Sequence, residues 1–291
     1  MEEKEKPRLI TGGFGTTLIL EPGADPPVQH DYVTGKPPAA EVNSSIGGTE
    51  TGKQRRKNII FFDFDGTLSP ELLNGARFTE YLKDKGIFDG KAYNEWEVLE
   101  KGYKEGTVDQ NKMSTGFADI FSKGLSKKRE DDVKAWAGIY VGEKVKYYDG
   151  VKKTISRLRD TNDYDIVIIS ASPQVLLDAI GRDLGATVAY GAYVPIENGS
   201  FTGKKPDRYF TTDGKREVVK TILKEYTNGT SAAVGDSKGD IGMMELVERA
   251  VVWNPHDEVN EYAQKRGWPV LSGNDYSKVY GKITNYSCKK K

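Results

Sequence analysis

From Asn58 onward the chain repeats one pattern: a short apolar run, then a longer stretch with apolar residues three or four positions apart. The short runs are Ile59–Phe62, Ile166–Ile169, Thr187–Tyr190, Ala232–Val234 and Val251–Trp253. They are too brief for helices and read as strands. Between them, Val151, Ile155 and Leu158 share one helical face, and so do Val219, Ile222, Leu223 and Tyr226. Strands that alternate with amphipathic helices predict an α/β core around a Rossmann-like parallel sheet. Asn198-Gly199, inside Val194–Phe201, marks a hairpin.

Two stretches break the pattern. The gap between the first two strand runs is too long for one crossover, so residues 72–147 are expected to form a largely helical second domain, with turns at Lys85-Gly86, Asp89-Gly90 and Glu105-Gly106. Residues 1–57 hold six of the 12 prolines and little apolar periodicity after Leu20. Such a stretch buries too little apolar surface to offset its ordering entropy, and a mostly disordered extension is expected. Within it, two apolar runs flank Gly12-Gly13, between Leu9 and Leu20, and predict a hairpin or a strand that docks elsewhere. Gly47–Lys53 has P-loop spacing, but Gln54 stands where Ser or Thr would hold magnesium and no apolar strand precedes it, so it reads as coincidence. The expected division is 1–57 extension, 58–71 with 148–285 α/β core, 72–147 helical insert and 286–291 basic tail. That tail, from Cys288 on, lacks the aliphatic pair of a prenylation box.

Composition narrows the function classes. Lys+Arg and Asp+Glu both number 43, for a formal charge of zero, which argues against a general nucleic-acid or anionic-membrane binder. No run reaches the ~20 apolar residues of a membrane helix. The single cysteine excludes an internal disulfide framework and a multi-cysteine metal site. Met1–Lys6 is too acidic for the basic end of a signal peptide, and a cytoplasmic protein is expected.

Residues able to do chemistry collect where the strands stop. After Ile59–Phe62, Asp63 and Asp65 point one way and Phe62 and Phe64 the other. Paired carboxylates persist where a cation or a shared proton offsets their repulsion, and Gly66 then allows a sharp turn. Ile166–Ile169 runs into Ser170-Ala171-Ser172-Pro173, where Ser172 can cap a helix, Pro173 suits its first turn, and free backbone N–H groups can meet an anion. Lys215 opens the helix carrying Val219, against the helix dipole, which suggests a task elsewhere. Ala232–Val234 ends in Gly235-Asp236, with Asp240 four residues on, and such hard oxygen ligands suit Mg²⁺. Singly these read as an acidic turn, a capped helix and a solvated lysine. Together they fall on the sheet edge where open α/β folds bind ligands.

Taken in order, Asp63-Phe64-Asp65-Gly66-Thr67, Ser170, Lys215 and Gly235-Asp236-Ser237-x-x-Asp240 resemble the four motifs of the haloacid dehalogenase superfamily, over about Asn58 to Leu271. Ser170-Ala171-Ser172-Pro173, Asn254-Pro255 and Gly267-Trp268-Pro269 resemble the phosphoserine phosphatase-like branch, in which the helical insert is a cap over the site. The resemblance implies a Mg²⁺-dependent phosphatase that hydrolyses a small phosphorylated metabolite through an aspartyl-phosphate. It assigns Asp63 as nucleophile and Asp65 as the acid, then base. Ser170, Ala171 and Lys215 would bind the phosphoryl group. Asp63, the Asp65 main-chain carbonyl and Asp236 would hold the metal, with Asp240 binding or orienting its shell. Lys204 and Lys205 rival Lys215, which is preferred because its helix has a defined core face.

Alternatives on the same fold are a dehalogenase, which needs neither metal nor Asp65, a phosphotransferase, and a non-catalytic binding protein with a relict phosphatase fold. For substrate choice, Arg77 with Glu80, Glu95 or Glu97 could meet phosphoserine. Tyr93, Trp96, Tyr103 and Trp136 could box a choline-like cation or form cap core. Hinges are expected near Pro70 and Asp149-Gly150.

Overall fold

The apolar runs pair side by side, because a strand buried on both faces satisfies its backbone only through neighbouring strands. The computed structural model describes residues 58–206, 209–226, 229–255 and 257–284, together with the backbone of three strands nearer the start. Those three are β1 (Arg8–Thr11), β2 (Thr17–Leu20) and β3 (Val33–Thr34). β1 and β2 form an antiparallel hairpin within a unit of its own, Met1–Asp31. The rest of the expected disordered extension, the P-loop look-alike and the basic tail lie outside the described residues.

In the second unit, Tyr32–Lys291, the sheet is built from β3, β4 (Asn58–Phe62), β5 (Tyr164–Pro173), β6 (Val188–Ala192), β9 (Ser231–Gly235), β10 (Arg249–Trp253) and β11 (Val270–Leu271). Its order is β11-β10-β9-β4-β5-β6-β3 and every neighbouring pair is parallel. The edge strands β3 and β11 have two paired residues each, too few to leave a periodic signal. β7 (Ile196–Glu197) and β8 (Ser200–Phe201) make the hairpin expected at Asn198-Gly199.

Alternation along the strands divides the core between the two faces of the sheet. Ile60, Phe62, Ile166 and Ile168 pack with α5 (Val151–Thr161), α6 (Gln174–Leu184) and α10 (Ser277–Thr284). Ile59, Phe61, Val167 and Ile169 pack with α7 (Thr212–Leu223), α8 (Ile241–Met244) and α9 (Asp257–Arg266). Tyr226 lies just beyond the end of α7, yet it packs against the same core as Val219, Ile222 and Leu223, and its hydroxyl donates to Asp165 at 2.5 Å.

Four helices lie between β4 and α5: α1 (Asn74–Asp84), α2 (Gly90–Lys104), α3 (Gln110–Gly124) and α4 (Glu130–Lys144). Asp89 and Asp109 cap α2 and α3, each accepting a backbone N–H, from Ala92 at 2.9 Å and Lys112 at 2.8 Å. Phe78, Phe121 and Tyr140 fill the space between helices, with the Phe78 and Tyr140 rings 5.2 Å apart. The insert begins after Leu73 (φ 60°), and the chain returns to the core at Gly150 (φ 83°). The β7–β8 hairpin also holds it from the side. Lys127 donates to Phe201 O (2.8 Å), Phe201 to Lys128 O (2.9 Å) and Glu130 to Gly199 O (2.9 Å), all through backbone N–H groups.

Candidate active site

β4, β5 and β9 are neighbours, so the residues at their C-terminal ends meet. Asp63 follows β4, Ser170 and Ser172 lie in the last turns of β5, and Asp236 follows β9. With Lys215 from the first turn of α7 they line a cavity of about 220 Å³, roofed by the first three helices of the insert. Asp65 and Ala171 line it too.

The lysine is buried to the same degree as the carboxylates it meets. Lys215 Nζ donates to Asp63 Oδ1 at 2.6 Å and to Asp240 Oδ1 at 2.7 Å. Burial disfavours its charge, but the carboxylates of Asp240 and Asp63 outweigh that and hold its pKa above the ordinary lysine value. The rivals lie elsewhere on the surface: Lys204 pairs with Glu197 at 2.6 Å and Lys205 with Asp119 at 2.7 Å. The dipole conflict at the start of α7 thus accompanies a buried ion pair.

Asp63, Asp236 and Asp240 each bring an oxygen within 4.8 Å of the others, and all three are buried. Lys215 is their only ion-pair partner among the described residues, so three carboxylates face one ammonium. Burial, then the Asp240 charge, pushes Asp63 up to about 7 against the pull of Lys215. Burial, then Asp240 and Asp63, pushes Asp236 up to about 9. The donor set therefore carries more negative charge than the protein itself neutralises. All its oxygens are hard ligands, and the set fits a divalent cation such as Mg²⁺.

Two glycines let these groups approach. A Cβ on Gly66, where φ is +80°, would come within 2.4 Å of Asp236 Oδ2. One on Gly235 would come within 2.4 Å of the Asp240 Cβ. The Asp240 Oδ2 atom accepts the backbone N–H of Asp236 (3.2 Å) and Ser237 (3.0 Å) and the Ser237 hydroxyl (2.9 Å), while its Oδ1 takes Lys215. Asp240 thus locks the loop that presents Asp236.

Three further groups support the site, Thr67 and Ser172 from within the quoted motifs and Asn74 from outside them. The Thr67 hydroxyl donates to Asp236 Oδ1 at 2.7 Å, and Thr67 is fully buried. Asn74, first residue of α1, donates both its backbone N–H (2.8 Å) and its Nδ2 (2.7 Å) to Asp65 Oδ1. Ser172 was expected to cap the following helix. Instead β5 continues through a register shift to Pro173, α6 starts at Gln174, and the Ser172 hydroxyl donates to Asp65 Oδ2 at 2.9 Å. Pro173 is therefore the residue before the first turn, not within it.

These contacts give the two oxygens of Asp65 different roles. Oδ1 faces N–H donors only, which cannot accept a proton. Oδ2 faces the hydroxyls of Ser172 and, at 3.4 Å, Ser170, which can rotate to accept one. A proton on Asp65 therefore resides on Oδ2.

Neither substrate-binding constellation weighed for the cap assembles, and Tyr93, Trp96 and Trp136 belong to the cap core, the other reading of these aromatics. Arg77 pairs with Glu71 at 2.7 Å, and neither it nor Glu80, Glu95 or Glu97 lines the cavity. Of the four candidate box aromatics, Trp96 and Tyr103 line it. The Tyr93 ring instead holds Lys83 at 4.0 Å, and Trp136 packs on Tyr81 beside Lys85.

Comparison with known proteins is consistent with this geometry. The family model for haloacid dehalogenase-like hydrolases matches residues 60–245. A Mycobacterium tuberculosis protein named as a probable phosphatase is 36% identical over 110 residues, 37% of this chain and 38% of its own length. The phosphoserine phosphatase of Archaeoglobus fulgidus is 25% identical over 215 residues, 72% of this chain and 56% of its own. The chain thus spans about a third to a little over half of the length of such relatives. A solved phosphoserine phosphatase, described as a phospho-aspartyl intermediate analogue, superposes with a TM-score of 0.56 at 19% identity, covering 80% of this chain and all of that one. At that identity the likeness speaks for the fold.

Proposed function

The chain belongs to the haloacid dehalogenase-like hydrolase family, and from that premise we propose that it is a phosphatase which hydrolyses a small phosphomonoester through an aspartyl-phosphate on Asp63. The observation that carries this reading is the convergence of Asp63, Asp65, Lys215 and Asp236 on one cavity at the C-terminal edge of the sheet. In the first step an Asp63 carboxylate oxygen bonds to phosphorus while the bond to the ester oxygen breaks. That oxygen takes the proton from Asp65 Oδ2. In the second step Asp65 accepts a proton from water, the water oxygen bonds to phosphorus, and the acyl-phosphate bond breaks to free Asp63 and inorganic phosphate. Splitting the hydrolysis this way replaces one difficult displacement with two easier ones.

Phosphoryl transfer needs positioning and charge neutralisation above all. Lys215, held between Asp63 and Asp240, supplies fixed positive charge beside the nucleophile. Ser170 and the backbone at Ala171, ahead of α6, would receive phosphoryl oxygens. Asp63, Asp236 and the Asp65 main-chain carbonyl would hold Mg²⁺, with Asp240 orienting the loop. When bound, the ion lowers the repulsion between carboxylate and phosphate. The helical insert, residues 72–147, acts as the cap that keeps bulk water from the developing charge.

The test is hydrolysis of p-nitrophenyl phosphate with Mg²⁺ and with EDTA, alongside trapping of base-labile phosphoprotein. Metal-dependent turnover and a trapped acyl phosphate, both lost in Asp63→Asn, are expected. Full activity in EDTA or in Asp63→Asn overturns the proposal.

A further inference from the structure

The cavity above Asp63 carries all its charge on one side. Asp63, Asp65, Lys215 and Asp236 are the only charged residues among the described residues that line it, and all four belong to its floor. Leu72, Trp96, Tyr103, Met113 and Phe117 furnish the opposite wall, and Phe210 stands beside the floor. The polar groups of that wall, Gln110, Asn111 and Ser114, are neutral and sit in the first turns of α3. Two ion pairs of the surrounding helices lie outside the cavity lining: Arg77 with Glu71 at 2.7 Å and Lys104 with Glu100 at 2.9 Å. Leu72 and Tyr103, two of the exposed large hydrophobic residues, are both part of the cavity wall.

A bound monoester puts its phosphate on the floor and its alcohol against this wall. A carboxylate there leaves water without meeting a positive charge, which is strongly unfavourable. A hydrocarbon body loses nothing, and an uncharged hydroxyl or carbonyl finds the amides of Gln110 and Asn111. The volume, about 220 Å³, falls below the ~300–1,000 Å³ of pockets for drug-sized ligands and suits an alcohol of a few carbons or one ring. Resting on the phosphatase reading, we infer that the substrate is the phosphate monoester of a small, largely apolar alcohol that carries no carboxylate, and that this chain selects against amino-acid phosphates.

The experiment measures kcat/KM of the full chain with Mg²⁺ for 2-phenylethyl phosphate, butyl phosphate and phosphoserine. All three leave as alkyl alcohols, so the floor chemistry is shared and the wall decides. The two esters without a carboxylate are expected to exceed phosphoserine by about 100-fold. In Asn111→Arg and Ser114→Arg, which place a cation on the wall, the ratio of phosphoserine to 2-phenylethyl phosphate turnover rises by about tenfold or more. Phosphoserine turned over as well as the other two esters, or ratios unmoved in both variants, overturns the inference and leaves the phosphatase standing. No turnover of any ester by folded, Mg²⁺-loaded protein overturns the phosphatase reading, and the inference with it.

Discussion

In the floor of the cavity each charged side chain is gripped by other polar groups: Lys215 by two carboxylates, Asp65 by Asn74 and Ser172, Asp236 by Thr67. In the roof the side chains facing the same space are held by packing alone, as where Trp96 meets Phe117 at 4.9 Å between ring centres. Hydrogen-bonded charges have one working geometry, whereas an apolar surface tolerates several shapes of similar volume. Floor substitutions should therefore disable every substrate alike, and roof substitutions should re-rank substrates.

The sharpest separation comes from Lys215→Ala. It is expected to lower kcat by about 10³-fold for all esters, while Lys204→Ala stays at the wild-type rate; a loss confined to Lys204→Ala would reverse the assignment. Thr67→Val, which removes one hydrogen bond from Asp236, should weaken Mg²⁺ affinity by about 10–100-fold and leave substrate ranking unchanged, as a metal titration of activity would report. Asn74→Ala should cost about tenfold in kcat with KM unchanged, because Asp65 Oδ1 loses its fixed donor. An unmoved kcat would make Asn74 purely structural.

Acidity provides a further contrast. Asp63 and Asp236 have folded pKa values raised above the ordinary 3.8, to about 7 and about 9. The folded protein then binds more protons than the unfolded chain over that interval, so without metal its stability falls as pH rises from about 4 toward 9. A divalent cation displaces those protons. The gain in Tm on adding Mg²⁺ should therefore be larger at about pH 8 than at about pH 5, and an equal gain at both would mean the ion binds elsewhere. The smallest effect is expected in the roof's scaffolding: Asp89→Ala removes the cap of α2 and should cost about 1 kcal/mol in denaturant unfolding without changing kcat.

The floor was legible in the sequence because its principal residues sit at or just beyond apolar strands, and strand ends in a parallel sheet share one edge. Asp63, Asp65, Ser170, Asp236 and Asp240 follow from that rule, and Lys215 from its awkward place at a helix start. Thr67, Asn74 and Ser172 do not, since their roles lie in contacts to specific oxygens, as between Thr67 and Asp236, 169 positions apart. The roof was far less legible. Its helices could be recognised, but which aromatics turn inward depends on how four helices pack, and Trp96 and Tyr93, three residues apart on α2, end with different partners. Of the three strands in the first 57 residues, β3 extends the core sheet on the strength of two residues, a signal below any periodicity.

The hairpin Asn198-Gly199 has a mechanical consequence. A lid attached only by its two chain crossings, at Leu73 and Gly150, could swing about the line that joins them. Here further attachments lie off those two crossings in the chain: three backbone hydrogen bonds to β7–β8, the Ser122 hydroxyl on Lys204 O, the Tyr209 hydroxyl on Asp119 Oδ1 at 2.5 Å and Lys205 on Asp119 at 2.7 Å. Widening the gap between roof and floor must either break those bonds or drag the hairpin along. Where the bonds hold, the unit that travels includes residues 196–201, and a spectroscopic label on that turn would report the opening of a cavity it does not line.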